Sequence, residues 1–123
     1  VEKVGQAAVV IRNGRDAFNG CDFLADVLSS LDAGKGADIK VLDVRNKTSI
    51  TDYMVIASGT SERHVCSLAD RIVDKAREIG VRTLSLEGKA SGDWVLVDLG
   101  EVIIHVMKPQ TREFYQLEKL WMG

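Results

Sequence analysis

Three groups of residues in this chain carry side chains capable of chemistry. Gly59-Thr60-Ser61 sits between an apolar strand candidate and an amphipathic helix candidate, where free amides at a helix start can hold a phosphate. His64, His105 and Cys66 offer imidazoles and a thiol for nucleophilic or metal-ligand work. Glu87, Asp93, Asp98 and Glu101 lie around the ends of late strand candidates and would bind a divalent cation if folding converged them.

The spacing argues against each. The glycine turn lacks both G-x-G-x-x-G and the P-loop lysine with its hydroxyl, so it reads as a turn and helix cap. His64 falls in the first turn of the helix, beside its apolar stripe. His105 falls inside an apolar strand, where a satisfied core or sheet-face histidine is the simpler account. No local cluster supplies three metal ligands. Asp93 and Asp98 have opposite strand parity and make no close pair on one face; turn solvation and edge protection explain these acids. The sequence therefore predicts no catalytic set, no metal and no cofactor, and a chain that is not an enzyme.

Recognition is the other prospect. In Asp93-Trp-Val-Leu-Val-Asp-Leu-Gly-Glu-Val-Ile-Ile-His-Val-Met107, Trp94 shares parity with Leu96 and Asp98, while Val95 and Val97 face the other way. The valines suit a helix-covered core. The Trp94–Leu96 side either packs inward or offers desolvated area to a protein partner, with Asp98 adding orientation. Near the end of the chain Phe114, Leu117 and Trp121 suit docking, Tyr115 points elsewhere, and Arg112 and Lys119 stay wet. That segment is a closing core helix or a partner-binding edge. It lacks the basic stripe and aromatic pattern of a nucleic-acid binder.

Composition sets the frame. The 123 residues are 46% apolar and 28% charged, with 16 basic and 18 acidic side chains and a formal charge of -2. This predicts one ordinary globular core and no global field that would hold nucleic acid. Two cysteines, Cys21 and Cys66, imply free thiols in a reducing compartment rather than a disulfide scaffold. No apolar run approaches the roughly 18 residues of a membrane span, and no secretory signal pattern opens the chain. A soluble, cytoplasmic protein is expected.

The elements that would position these residues follow from periodicity. Residues 1–20 read as an N-terminal extension: Gln6 to Ile11 has strand character, and Asn13-Gly14 and Asn19-Gly20 break the chain, giving a small hairpin or a flexible arm. Residues 21–123 read as a single domain. Asp22 caps a helix through Leu31 with a stripe of Phe23/Leu24, Val27/Leu28 and Leu31. Strands follow at Ile39 to Val44, closed by Arg45-Asn46-Lys47, and at Asp52 to Ser58, the latter buried on both faces. Thr60 or Ser61 caps the clearest helix, whose stripe is Val65, Leu68/Ala69, Ile72/Val73, Ala76 and Ile79, ended by Gly80. Strands near 81–86, 93–98 and 101–107 come next, the last two joined as an antiparallel hairpin by Leu99-Gly100. Lys108-Pro109 stops the last strand before a helix from about Thr111 to Leu120. The expected fold is α/β: a mixed five-stranded sheet with packed helices. The crossover through the long helix makes its flanking strands parallel and right-handed. One helical layer covers the core, and part of the opposite face or an edge stays available.

The order and spacing of several blocks resemble the ribosomal silencing factor family, also called Iojap-related, over approximately Cys21 to Trp121. These blocks are Asp38-Ile-Lys-Val-Leu-Asp-Val44, Ser49-Ile-Thr-Asp-Tyr-Met-Val-Ile-Ala-Ser-Gly-Thr-Ser61, Leu86-Glu-Gly88, the Asp93–Met107 run and Arg112-Glu-Phe-Tyr-Gln-Leu-Glu-Lys-Leu-Trp121. The resemblance implies a domain related to nucleotidyltransferases without a convincing catalytic set; this chain likewise has no paired Asp-x-Asp. It implies binding to large-subunit ribosomal protein uL14 at the surface used for subunit joining, and so repression of translation under nutrient limitation. Carried onto this chain, Trp94 is the interface residue, with Leu96, Asp98 and Tyr115 as neighbours chosen partly from local geometry. A homodimer is compatible with the resemblance, and no direct nucleic-acid or membrane contact is required. The competing expectation is a magnesium-dependent nucleotidyltransferase-like enzyme using the separated acids and the Gly59-Thr60-Ser61 terminus.

Overall fold

A computed structural model describes the backbone of Val9–Ile11 and residues 23–45 and 48–115. The elements in chain order are β1 Val9–Ile11, α1 Leu24–Ala33, β2 Ala37–Asp43, β3 Tyr53–Ser58, α2 Glu62–Glu78, β4 Ser85–Glu87, β5 Trp94–Asp98, β6 Val102–Met107 and α3 Pro109–Tyr115. The strands form one mixed sheet in the order β1-β2-β3-β6-β5-β4. The five strands expected within residues 21–123 are present. β1 adds a sixth at the edge, parallel to β2.

Burial explains why these segments take these shapes. In α1, Leu24, Val27, Leu28 and Leu31 recur at helical spacing and are all buried. In α2, Val65, Leu68, Ala69, Ile72 and Ala76 do the same over 17 residues. Both stripes meet Ile39, Val41, Tyr53, Val55, Ala57, Val95, Val97, Val102, Ile104 and Val106, forming the main core on one face of the sheet. β3 and β6 are buried at every position, as interior strands with both faces covered must be.

β3 pairs with β6 in parallel, from Tyr53↔Val102 to Ser58↔Met107. β4 runs parallel to β3, as the crossover length predicts, yet the two are not neighbours. β6 and β5 lie between them. The reason is hydrophobic: β6 is the most completely apolar late strand and takes the central position, leaving the short, exposed β4 at the edge.

The β5–β6 hairpin sets the register of the opposite face. Leu99 N–H donates to the Val102 carbonyl at 2.9 Å, which leaves Gly100 and Glu101 as the two loop residues. Gly100 takes φ 90°, and a positive φ at the first loop position alone is the demand of a II′ turn. Asp98, Leu96 and Trp94 consequently lie opposite Ile103, His105 and Met107. At the other end of β5, Gly88 (φ 93°) lets the chain pass close by: a Cβ there would lie 2.0 Å from the Trp94 carbonyl oxygen.

Several expected features fall outside the described residues: the turns Asn13-Gly14 and Asn19-Gly20, Cys21, the Asp22 cap, Asn46-Lys47, and the C-terminal positions Leu117, Lys119 and Trp121. Among the described residues, no helix is long and apolar enough to cross a membrane.

Candidate protein-binding face

The Gly59-Thr60-Ser61 turn is occupied by the chain's own hydrogen bonds. Gly59 N–H donates to the Met107 carbonyl at 3.0 Å and Val65 N–H to the Ser61 carbonyl at 2.9 Å. Thr60 N–H donates to His64 Nδ1 at 2.9 Å, and Ser61 Oγ accepts from His64 N–H at 3.1 Å as the N-cap. Because Nδ1 accepts, Nε2 carries the proton and donates to the Gly34 carbonyl at 2.8 Å, tying the start of α2 to the end of α1. The turn thus uses the Gly59, Thr60 and His64 amides and the Ser61 hydroxyl for its own folding, as a turn and helix cap does.

The acids are dispersed. Asp98 Oδ1 accepts from Gly100 N–H at 2.8 Å, within its own hairpin turn. Glu87 accepts from the Ser85 hydroxyl at 2.9 Å, and Asp93 pairs with Lys108 at 3.3 Å. Among the described residues, no three His, Cys, Asp or Glu side chains converge on a possible cation position. Cys66 donates its thiol to the Lys89 carbonyl at 3.4 Å, whereas His64 and His105 bond to Gly34 and Trp94.

The face opposite α1 and α2 is built differently. Leu42, Val44, Met54, Ile56 and Met107 form a second, smaller cluster, against which Trp94 packs half-buried. Trp94 Nε1–H donates to His105 Nδ1 at 3.0 Å, and the rings lie 5.8 Å apart at 50°. Tyr115 rests on Trp94 with centroids 4.8 Å apart, and Phe114 meets Tyr115 edge-on at 5.0 Å. Exposure rises along this series: His105 is 6% exposed, Tyr115 53% and Phe114 79%. The result is an aromatic row rooted in the sheet and open at its far end.

The short α3 carries the open end of that row. Arg112 Nη1 donates to Ser58 Oγ at 2.9 Å, at the end of β3, with Asp38 Oδ2 3.7 Å away. Arg112 was expected to stay wet and Phe114 to dock; the structure reverses both. Arg112 is 6% exposed and points inward, and its stem is long enough to bury while its fork finds a hydroxyl. At about 100° per residue, Tyr115 returns near the Arg112 side of the helix, whereas Phe114 is carried about 200° round to solvent.

Of the four sequence-predicted interface residues, Trp94, Leu96 and Asp98 share one side of β5, each partly exposed, and Tyr115 joins Trp94 from α3. Asp98 sits at the hairpin end, remote in register from Trp94, with its carboxylate engaged in the turn. Sequence reasoning missed His105 and Phe114 as members of the group. For His105 the signal was available: the two-residue hairpin at Gly100 sets His105 opposite Leu96, hence diagonal to Trp94 on the same side.

A family model described as "Ribosomal silencing factor during starvation" matches residues 21–123. The chain belongs to the ribosomal silencing factor family. The "Ribosomal silencing factor RsfS" of Haemophilus influenzae is 48% identical over 95 residues, 77% of this chain and 93% of that relative. A mouse relative named "Mitochondrial assembly of ribosomal large subunit protein 1" is 42% identical over 106 residues, 83% of this chain and 46% of that protein. A crystal structure from Chromobacterium violaceum superposes with a TM-score of 0.77 at 43% identity, covering 79% of this chain and 81% of that one. The resemblance read from the sequence blocks and the α/β fold both hold, and a silencing factor's role is regulatory.

Proposed function

We propose that this chain binds the large-subunit ribosomal protein uL14 and keeps the ribosomal subunits apart by occupying the volume that the small subunit needs, so repressing translation under nutrient limitation. Trp94 is the anchor, Tyr115 extends it, Leu96 borders it along β5, and Asp98 marks the hairpin end of the same side. One observation carries the reading: an aromatic row that begins at a buried histidine and ends at a phenylalanine 79% exposed, on the face that α1 and α2 leave alone. Large aromatic side chains give the most desolvated area per ordered torsion and dominate protein interfaces. Family membership supplies the ribosome as the setting, and the mouse relative's name places that protein's work on the large subunit.

Occlusion requires no bond to form or break. It requires enough contact to survive competition from the joining subunit, on the order of 1,000 Å² or more of buried surface. The test mixes the purified chain with separated large and small subunits and follows subunit joining by sedimentation. Joining should fail in proportion to uL14 occupancy. Normal joining at saturating uL14 occupancy rejects the mechanism. Trp94→Ala is expected to fold and to bind uL14 at least about tenfold more weakly, as removal of an interface anchor does.

A further inference from the structure

Along the outward side of β6, Ile103 and Met107 are apolar, and His105 between them is the one group with a ring nitrogen to offer. An imidazole placed there loses its hydration, a cost that an aliphatic side chain would avoid. Its Nδ1 is the acceptor for the Trp94 indole N–H at 3.0 Å. A half-buried tryptophan has two broad choices of ring orientation about its second torsion, and only one of them delivers the N–H to this nitrogen.

We propose that His105 is a positioning residue for the partner-binding face: by accepting the Trp94 indole N–H at Nδ1, it fixes the ring in the orientation on which Tyr115, and through it Phe114, stacks. This rests on reading that face as the uL14 surface. β6 is an interior strand hydrogen-bonded on both sides, so the acceptor is held by the most constrained part of the sheet. Trp94 belongs to the neighbouring strand and reaches His105 diagonally. Nδ1 accepts only while the ring is neutral with its proton on Nε2. Burial pushes the His105 pKa down to about 4, so the neutral ring is the form present near pH 7. An indole fixed before encounter need not be ordered during it, and preorganisation of that kind strengthens binding without adding a contact.

The first measurement uses the unaltered chain. The Trp94 indole N–H resonance, assigned against Trp121→Phe, should exchange with solvent markedly more slowly than a free indole. Exchange at the free rate overturns the proposal. His105→Phe keeps a ring and removes the acceptor; uL14 affinity should fall roughly 2- to 12-fold, the range that one hydrogen bond supports, and the indole resonance should move. His105→Asn places an oxygen near the former Nδ1 position and should recover much of both. A folded His105→Phe chain that binds like wild type sinks the proposal, and it leaves the uL14 surface standing provided Trp94→Ala still weakens binding. If Trp94→Ala binds like wild type, the surface and the proposal fall together. Weaker binding by His105→Phe with an unmoved indole resonance also overturns the positioning role. Should His105→Phe not fold, slow indole exchange in the unaltered chain and retained affinity in His105→Asn support the proposal; failure of either one ends it.

Discussion

The two faces of the sheet solve different problems with the same strands. Against α1 and α2 every strand residue in the core is hydrocarbon or the Tyr53 ring, packed with helical Leu, Val, Ile and Ala. On the other side the apolar cluster is small, and among the polar groups buried in the fold, Ser58, His105 and Arg112 all belong to this side. Hydrocarbon packing is undirected and tolerant; a buried polar group is acceptable only with its partner in place. The first face therefore supplies stability, and the second exchanges some stability for fixed side-chain directions.

That contrast is tested most severely from the hydrocarbon side. Leu68→Ala removes a fully buried side chain from the middle of α2. It should cost about 2–5 kcal/mol in denaturant unfolding, while the uL14 affinity of the fraction still folded is unchanged. Equal losses of stability and of affinity per folded molecule would show that the two faces are not separable.

The polar side predicts a dependence on pH. His105 has a folded-state pKa near 4 against an ordinary 6.5, because burial disfavours its charged form. The unfolded chain binds that proton first, so stability from this group is complete above pH 6.5 and lost as pH falls toward 4. The full loss is about 3 kcal/mol at most. Between pH 6.5 and 4, the unfolding free energy of wild type should fall relative to that of His105→Asn by up to about 3 kcal/mol. Parallel curves would remove His105 from the account.

The smallest effect on stability belongs to Phe114. With 79% of it exposed, Phe114→Ala should alter the unfolding free energy by less than about 0.5 kcal/mol. Binding to uL14 should weaken nonetheless if the aromatic row is used to its tip. A change in stability without a change in affinity would assign the ring to the fold instead.

Most of the architecture was legible because its signals are local. The α2 stripe, the Ser61 cap, the uninterrupted apolar run of β3 and the hairpin at Gly100 each follow from spacing alone. The order of strands was not, since nothing local says that β6, rather than β4, will lie beside β3. The site shows the same division. Trp94, Leu96 and Asp98 are grouped by strand parity, which sequence gives directly. Tyr115 and Arg112 depend on where α3 crosses the sheet. An arginine in a helix is read as solvated until a hydroxyl such as that of Ser58 is found within reach. Charge and size suggested a wet Arg112 and a docked Phe114; the rotation of one short helix decided otherwise.

The seating of β6 between β3 and β5 has a consequence for synthesis and breakage. The middle of the sheet is completed by a strand that follows β3 only after α2, β4 and β5, so β3, with both sides greasy, waits for a neighbour encoded far downstream. A polypeptide halted before Val102 would lack the bridge that links Trp94 to the remainder of the sheet. Incomplete copies are therefore expected to be open and protease-sensitive, without the ordered β5–β6 face on which the proposed binding depends.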